Sequence, residues 1–121
     1  MTIAIAIVGT PADALAIEEG LRSANAEVLS LNYRSRSFPE LVDSYSNLIE
    51  TATGMPASLR DKGPTIILIP GASLESLPAL ERVTAGDYFR VVSNEPIAHS
   101  RWVPLEGEGT FPERVLKWLV R

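Results

Sequence analysis

The stretch TIAIAIV at residues 2–8, followed by GTPAD at residues 9–13, decides the fold class of this chain. In the first segment Ile3, Ile5 and Ile7 lie on one face and Ala4, Ala6 and Val8 on the other, so both faces are apolar. This is typical of a strand in a parallel sheet that helices cover on both sides. Thr10 can cap the helix that follows, because Pro11 occupies its first position and Asp13 lies three residues after the cap. The stretch therefore predicts an α/β domain with this strand in the centre of its sheet.

The rest of the chain alternates strand-like with helix-like segments. Strand-like patterns cover residues 27–33, 65–69, 88–93 and 101–105, and helices are expected to begin after Thr10, Ser37, Ser73 and Thr110. We therefore predict a single α/β domain over residues 1–121, a three-layer sandwich with a mostly parallel, five-stranded, flavodoxin-like or Rossmann-like sheet. Segments 27–33 and 101–105 are expected at its edges, because the first alternates in polarity and Pro104 removes a ladder N–H from the second.

Three connections between these elements depend on shorter signals. Gly54 and Gly86 are expected to end the second and third helices, and residues 55–63 have the composition of a loop. Residues 94–100 are fewer than a helical crossover needs, so the last strand either runs antiparallel or follows a stretched loop. The sequence leaves these two alternatives open.

The composition bounds the function. Of the 121 residues, 45% are hydrophobic and 21% are charged, values typical of one globular domain. Eleven basic and fifteen acidic residues give a net charge of -4, which disfavours nucleic acid as a partner. The chain has no cysteine and one histidine, so disulfides, thiolate chemistry and multi-histidine metal sites are excluded and no metal is predicted. The apolar run at residues 3–8 is shorter than the roughly 18 residues of a membrane span, so we expect a cytoplasmic protein without a membrane partner.

Several catalytic and cofactor motifs are missing from the sequence. A P-loop needs Gly-Lys-Ser/Thr and a dinucleotide fingerprint needs spaced glycines, whereas Gly9 stands alone after the first strand. The Gly-x-Ser-x-Gly elbow of serine hydrolases does not occur. A receiver domain would have its phosphoacceptor aspartate at the end of the third strand, where this chain has Pro70 and Gly71. No cofactor is predicted, and the sequence leaves open whether the protein is an enzyme.

The candidate site lies where the carboxyl ends of the parallel strands meet. The loops expected there carry the helix start after Gly9 together with Arg34 and Arg36, a combination that suits a phosphate or a carboxylate. The candidate ligand-binding residues are Gly9, Thr10, Asp13, Arg34, Arg36, Gly71, Ser73, Asn94 and His99. They predict a site for an anionic small molecule, a nucleotide or a sugar phosphate, in a sensor or a diverged enzyme. Plainer interpretations stay open, in which the glycines form turns, the hydroxyls cap helices and the arginines are solvated.

Three motifs are shared with a known family. They are VGTPAD at residues 8–13, the pair Tyr33-Arg34, and Pro70-Gly71-Ala72 leading to Leu77-Pro78. Over roughly residues 3–97 the chain resembles the phosphoribosylaminoimidazole carboxylase and mutase family. The resemblance implies a flavodoxin-like sheet, a nucleotide-like ligand and oligomers, with Gly9, Asp13 and Arg34 at binding positions. Ser76 stands where the family has its catalytic histidine, and Tyr33 where it has the histidine before arginine, so the resemblance does not extend to the family's reaction.

Two other classes of function stay open. A protein-interaction or assembly module without a ligand fits the aromatic residues Tyr33 and Trp102 on the predicted edge strands, where we expect a homo-oligomer, most simply a two-fold dimer. A hydrolase or lyase would use His99 as its general base, with Ser100 or a water beside it. The orienting carboxylate would then be Glu95 or Glu106.

Overall fold

The computed structural model describes residues 2–34, 36–53, 65–84 and 88–120, which form four β-strands and four α-helices. In chain order the elements are β1 (Thr2–Val8), α1 (Pro11–Ser23), β2 (Glu27–Ser30), α2 (Phe38–Thr53), β3 (Thr65–Pro70), α3 (Leu77–Val83), β4 (Tyr88–Ser93) and α4 (Phe111–Leu119). Gly54, Gly86 and the predicted loop at 55–63 lie outside the described residues. The third helix ends at Val83 with Thr84 as its C-cap, before the predicted end at Gly86.

All four described strands are parallel, and their order across the sheet is β2-β3-β1-β4. The predictions that β1 is an interior strand and β2 an edge strand are confirmed. From Ala4 to Ile7 the side chains of β1 are fully buried, because helices cover both faces of the sheet. The parallel sheet and its helical layers are consistent with the predicted flavodoxin-like class. β3 and β4 flank β1 here, however, whereas a flavodoxin sheet has β2 next to β1.

The prediction of five strands was wrong, because the described sheet has four. The backbone of residues 101–105 pairs with β4 through one isolated parallel bridge, between Val91 and Trp102. Of the two alternatives for this segment, the stretched loop applies, since the bridge is parallel. β4 therefore takes the edge position that had been expected for the fifth strand.

Local hydrogen bonds explain why the fifth strand does not form. The backbone N–H of Arg101 donates to Nδ1 of His99 over 3.0 Å, and the backbone N–H of Trp102 donates to the His99 carbonyl over 3.1 Å. In the bridge, Val91 bonds to the Arg101 carbonyl and to the Val103 N–H, so the Arg101 N–H is the group that would extend the ladder toward Phe89. Because this N–H is bonded to His99, pairing with β4 stops on that side of the bridge.

The core is divided into two layers by the sheet. One face packs Ile5 and Ile7 of β1 against Ile17 of α1 and Val115 of α4. The other face packs Ala4 and Ala6 of β1 against side chains of α2 and α3 such as Tyr45 and Leu80. The helices thus form two outer layers, which confirms the three-layer arrangement expected from the two apolar faces of β1.

The directions of the connections after the strands locate the switch point of the sheet. The chain leaves β1 toward α1 on one face, whereas it leaves the neighbouring β3 toward α3 on the other face. The backbone N–H of Ala72 donates to the Ile7 carbonyl over 2.9 Å, so the segments that leave β1 and β3 stay paired up to the point where they diverge. In open α/β sheets ligands bind outside the carboxyl ends of strands at such a switch point. Among the described strands, β1 and β3 are the neighbours whose connections diverge in this way.

Three helix starts follow the predicted capping patterns. Thr10 Oγ1 accepts from the Asp13 N–H at the start of α1 over 3.2 Å. Thr110 Oγ1 accepts from the Glu113 N–H at the start of α4 over 3.3 Å. At α2 the residues Ser37 and Glu40 bond reciprocally, each side chain accepting from the other's backbone N–H over 3.4 Å. These caps fix where α1, α2 and α4 begin.

Candidate functional site

A cleft of about 360 Å³ lies between the first turns of α1 and the carboxyl ends of β2 and β3. We call it the α1 cleft. It is lined by Pro11, Ala14, Leu15, Glu18, Ser30, Asn32, Arg34, Leu68, Pro70 and Gly71. It lies beside the point where β1 and β3 send their connections to opposite faces, and its volume falls in the range of small-molecule sites, about 300 to 1,000 Å³.

Arg34 supplies positive charge to the α1 cleft. Its guanidinium lies directly against Gly71, since a Cβ placed on Gly71 would come within 2.6 Å of Nη2. Arg34 is exposed, and within the described residues no carboxylate lies at ion-pair distance from it. The charge is therefore not neutralised by the described part of the chain and is available to an anion.

The loop after β2 positions Arg34. The hydroxyl of Tyr33 donates to the Gly71 carbonyl over 2.5 Å, which ties this loop to the end of β3. The backbone N–H of Leu31 donates to the Leu68 carbonyl over 2.8 Å and extends the pairing of β2 with β3 by one residue. Arg34's own N–H donates to Oδ1 of Asn32 over 3.4 Å. These contacts hold the backbone that carries Arg34 against the sheet edge.

The lining of the α1 cleft also carries a carboxylate, that of Glu18 on α1. Oε1 of Glu18 accepts from the hydroxyl of Ser30 and from Nη2 of Arg22, each over 3.1 Å. Arg22 offsets part of the carboxylate charge, and its distance of four residues places it on the same face of α1. Glu18 and Ser30 thus offer polar groups that can bond the hydroxyls of a ligand.

The helix start after Gly9 contributes less to the cleft than the sequence indicated. Thr10 and Pro11 leave few free donors, because Thr10 accepts from the N–H groups of Asp13 and Ala14 and Pro11 has no N–H. The side chain of Asp13 lies against Gly9, where an added Cβ would be 3.3 Å from Oδ2. Gly9, Thr10 and Asp13 do not line the α1 cleft.

Arg36 and Ser73 lie away from Arg34. Nη1 of Arg36 donates to the hydroxyl of Ser44 on α2, and Arg36 lines a different cleft on the α2 side of β2. Ser73 is exposed, and its backbone forms a turn in which the Ser76 hydroxyl accepts from Ser73 N–H over 3.0 Å and donates to Ser73 O over 2.8 Å. The two predicted arginines are therefore not brought together.

Asn94 and His99 are engaged with other parts of the chain. Oδ1 of Asn94 accepts from Nη2 of Arg114 over 2.8 Å. Nδ1 of His99 accepts from the Arg101 N–H, so its proton lies on Nε2, which is 3.4 Å from Oε2 of Glu81. Nδ1 therefore already accepts a hydrogen bond within the chain, and the carboxylate within ion-pair distance of the ring is Glu81 rather than Glu95.

Of the nine predicted site residues, Arg34 and Gly71 line the α1 cleft. Sequence reasoning missed Glu18 and Ser30, whose meeting depends on how α1 packs across the sheet. A weak signal was the spacing of Glu18 and Arg22, which predicts an ion pair on one helix face. Within the described ranges no group of three acidic, histidine or cysteine side chains could hold a metal ion. None of the helices in the described ranges is both long enough and apolar enough to cross a membrane.

No family model, curated protein or solved structure matches this chain. The resemblance to the phosphoribosylaminoimidazole carboxylase and mutase family therefore stays a prediction from the sequence. At the two positions where the motifs differ, the side chains bond within the chain. Tyr33 holds the Gly71 carbonyl, and Ser76 holds the backbone of Ser73.

Proposed function

We propose that the protein binds a small anionic molecule, a nucleotide or a sugar phosphate, in the α1 cleft, with Arg34 as the partner of the anion. The observation that carries the proposal is the exposed guanidinium of Arg34, which has no carboxylate partner among the described residues and lies at the switch point of a parallel sheet.

The other walls of the α1 cleft support a ligand that is partly apolar and partly hydroxylated. Pro11, Leu15 and Pro70 provide apolar surface, and Leu15 is 55% exposed although it is a leucine. Glu18 and Ser30 provide oxygen atoms in the same lining. A phosphate at Arg34, a sugar near Glu18 and a flat ring against the apolar surface fit this distribution of groups.

The proposal is for binding, in a sensor or a diverged enzyme. Within its described lining the cleft holds no histidine or cysteine. Its hydroxyl, that of Ser30, donates to Glu18, and the same Glu18 oxygen accepts from Arg22. An activated nucleophile needs a base that is free to take its proton, and this carboxylate is already bonded to an arginine.

Thermal unfolding tests the proposal. The probes are adenosine monophosphate and ribose 5-phosphate, with adenosine and ribose as uncharged counterparts. A ligand that binds the folded state alone adds about 2.7 kcal/mol at 100 times its Kd, which raises the Tm by several degrees. We expect a phosphorylated probe to raise the Tm and its uncharged counterpart to leave the Tm nearly unchanged.

Two arginine variants provide the matched comparison. Arg34→Ala is expected to remove most of the rise in Tm, whereas Arg36→Ala is expected to retain it, because Arg36 bonds to Ser44 on the α2 side. The proposal fails if neither probe nor a wider panel of phosphorylated metabolites shifts the Tm. It also fails if the shift persists in Arg34→Ala.

A further inference from the structure

A second cleft, of about 310 Å³, lies between α4 and the segment at residues 103–106. We call it the α4 cleft. It is lined by Val103, Pro104, Leu105, Glu106, Arg114, Lys117 and Trp118. It shares no lining residue with the α1 cleft, so the function proposed above does not involve it.

Two cations of α4 line this cleft and form no ion pair within the described residues. Arg114 and Lys117 are three residues apart, which places them on the same helix face, and like charges in such a pair repel. Nη2 of Arg114 bonds to the neutral amide of Asn94, and its buried Nε has no acceptor among the described atoms. Glu106 lines the same cleft but lies beyond ion-pair distance of both cations.

The remaining wall is apolar and flat. Trp118 follows Arg114 by four residues on α4, so the indole lies on the same helix face as Arg114, and Lys117 lines the same cleft. Trp118, Val103 and Leu105 are partly buried and pack against the core layer of α1 and α4. A rigid aromatic surface beside unpaired cations suits a planar molecule that carries a negative charge.

We propose that the α4 cleft binds a single-ring aromatic molecule that carries one phosphate or carboxylate group. The anionic group meets Arg114 and Lys117, and the ring lies against Trp118 and Pro104. The cleft volume is at the lower end of the range for small-molecule sites, about 300 Å³, and Trp118 is the one aromatic side chain in its lining, which suits a ligand with one ring. Glu106 opposes the anion, because it adds a negative charge to the same wall.

Isothermal titration calorimetry on the unaltered chain tests this proposal with phenyl phosphate as the probe. Phenol and inorganic phosphate are the matched partial probes, since each lacks one of the two recognised groups. We expect phenyl phosphate to bind and each partial probe to bind at least about ten times more weakly, because neither engages the cations and the indole together. Quenching of tryptophan fluorescence by the same probe provides a second measurement.

Charge variants on exposed positions show where the probe binds. Lys117→Gln is expected to weaken phenyl phosphate binding about five-fold, and Glu106→Gln to strengthen it by a similar factor. Arg82→Gln is the control, because it removes a cation from α3 that lies over Phe38 instead of in the α4 cleft. Arg82→Gln is expected to leave the affinity unchanged.

Three results would overturn the proposal. Phenyl phosphate does not bind, or it binds no better than inorganic phosphate and phenol. Its affinity is the same in Lys117→Gln and Glu106→Gln as in the unaltered chain. Its binding is lost in Arg34→Ala, which would assign the probe to the α1 cleft and leave the function proposed there standing.

Discussion

Gly71 matters both for the backbone conformation and for the position of Arg34 in the α1 cleft. Its φ is +71°, in the left-handed region that glycine adopts without a steric penalty, and the Arg34 guanidinium lies where a side chain would begin. We expect Gly71→Ala to lower the free energy of unfolding by about 1 kcal/mol or more, because alanine is strained at this φ. Urea denaturation at 25 °C measures the change. The same Cβ displaces Arg34, so the rise in Tm with a phosphorylated probe should also shrink.

Gly107→Ala separates these two effects. Gly107 also has a positive φ, of +97°, but a Cβ there meets no atom within 4 Å. We expect this variant to lose stability while it keeps the full response to the probe. A Gly71→Ala protein that is as stable as the unaltered chain would contradict the strain argument. An unchanged probe response in Gly71→Ala would contradict the role assigned to Arg34.

At the scale of elements, the segment that replaces the fifth strand is anchored by one buried hydroxyl. Ser93 is 5% exposed, and its Oγ accepts from Nε1 of Trp102 over 3.0 Å and donates to the carbonyl of Glu95. Ser93→Ala leaves the indole N–H and that carbonyl without this partner, which typically costs about 1 to 3 kcal/mol. We expect a loss of that size in urea denaturation.

Two further variants test whether the loss comes from the indole contact. Ser100→Ala removes an exposed hydroxyl from the same segment and is expected to change stability by less than about 0.5 kcal/mol. In Ser93→Ala/Trp102→Phe no indole N–H is left unsatisfied, so the double variant should lose less than the sum of the single ones. Strict additivity would show that the Ser93 hydroxyl does not stabilise the segment through Trp102.

The elements that the sequence predicted correctly are those with a local pattern. The two apolar faces of β1 and the capping threonines at 10 and 110 depend on neighbouring residues, and each appears in the structure as expected. The fifth strand failed because alternation does not show that His99 accepts the N–H groups of Arg101 and Trp102. Whether a backbone N–H bonds locally or joins a sheet depends on the path of the loop, and the alternation of polar and apolar residues does not determine that path.

The candidate site was predicted in part for a related reason. Gly71 directly follows β3, and Arg34 directly follows the strand predicted at residues 27–33, of which β2 covers Glu27–Ser30, so the rule for carboxyl ends of strands places both at the sheet edge. Arg36 is only two residues further, yet the turn closed by its N–H on the Tyr33 carbonyl sends it to the α2 side. Glu18 meets Ser30 because α1 packs beside β2, and predicting that contact needs the order of the strands in the sheet. Neither the turn nor the order can be derived from spacing along the chain.

At the scale of the whole molecule, an arginine bonds to one backbone carbonyl on each edge strand of the described sheet. Nη2 of Arg22 donates to the Val28 carbonyl of β2 over 3.4 Å, and Nη1 of Arg90 donates to the Phe89 carbonyl of β4 over 2.7 Å. The segment bridged at Trp102 occupies a further part of the β4 edge. Charged side chains at a sheet edge oppose the pairing of edge strands between molecules.

A homo-oligomer, most simply a two-fold dimer, stays our prediction for the whole molecule, and these contacts change where its interface is expected. Trp102 bonds to Ser93, and Tyr33 bonds to Gly71, so neither aromatic residue is free to anchor a partner at a sheet edge. We therefore expect the dimer to persist in Trp102→Ser when both proteins are compared by sedimentation velocity at micromolar concentration. Loss of the dimer in that variant would return the interface to the β4 edge, because removal of a central aromatic anchor costs about 2 kcal/mol or more. A single 13.1 kDa species for the unaltered chain would contradict self-association altogether.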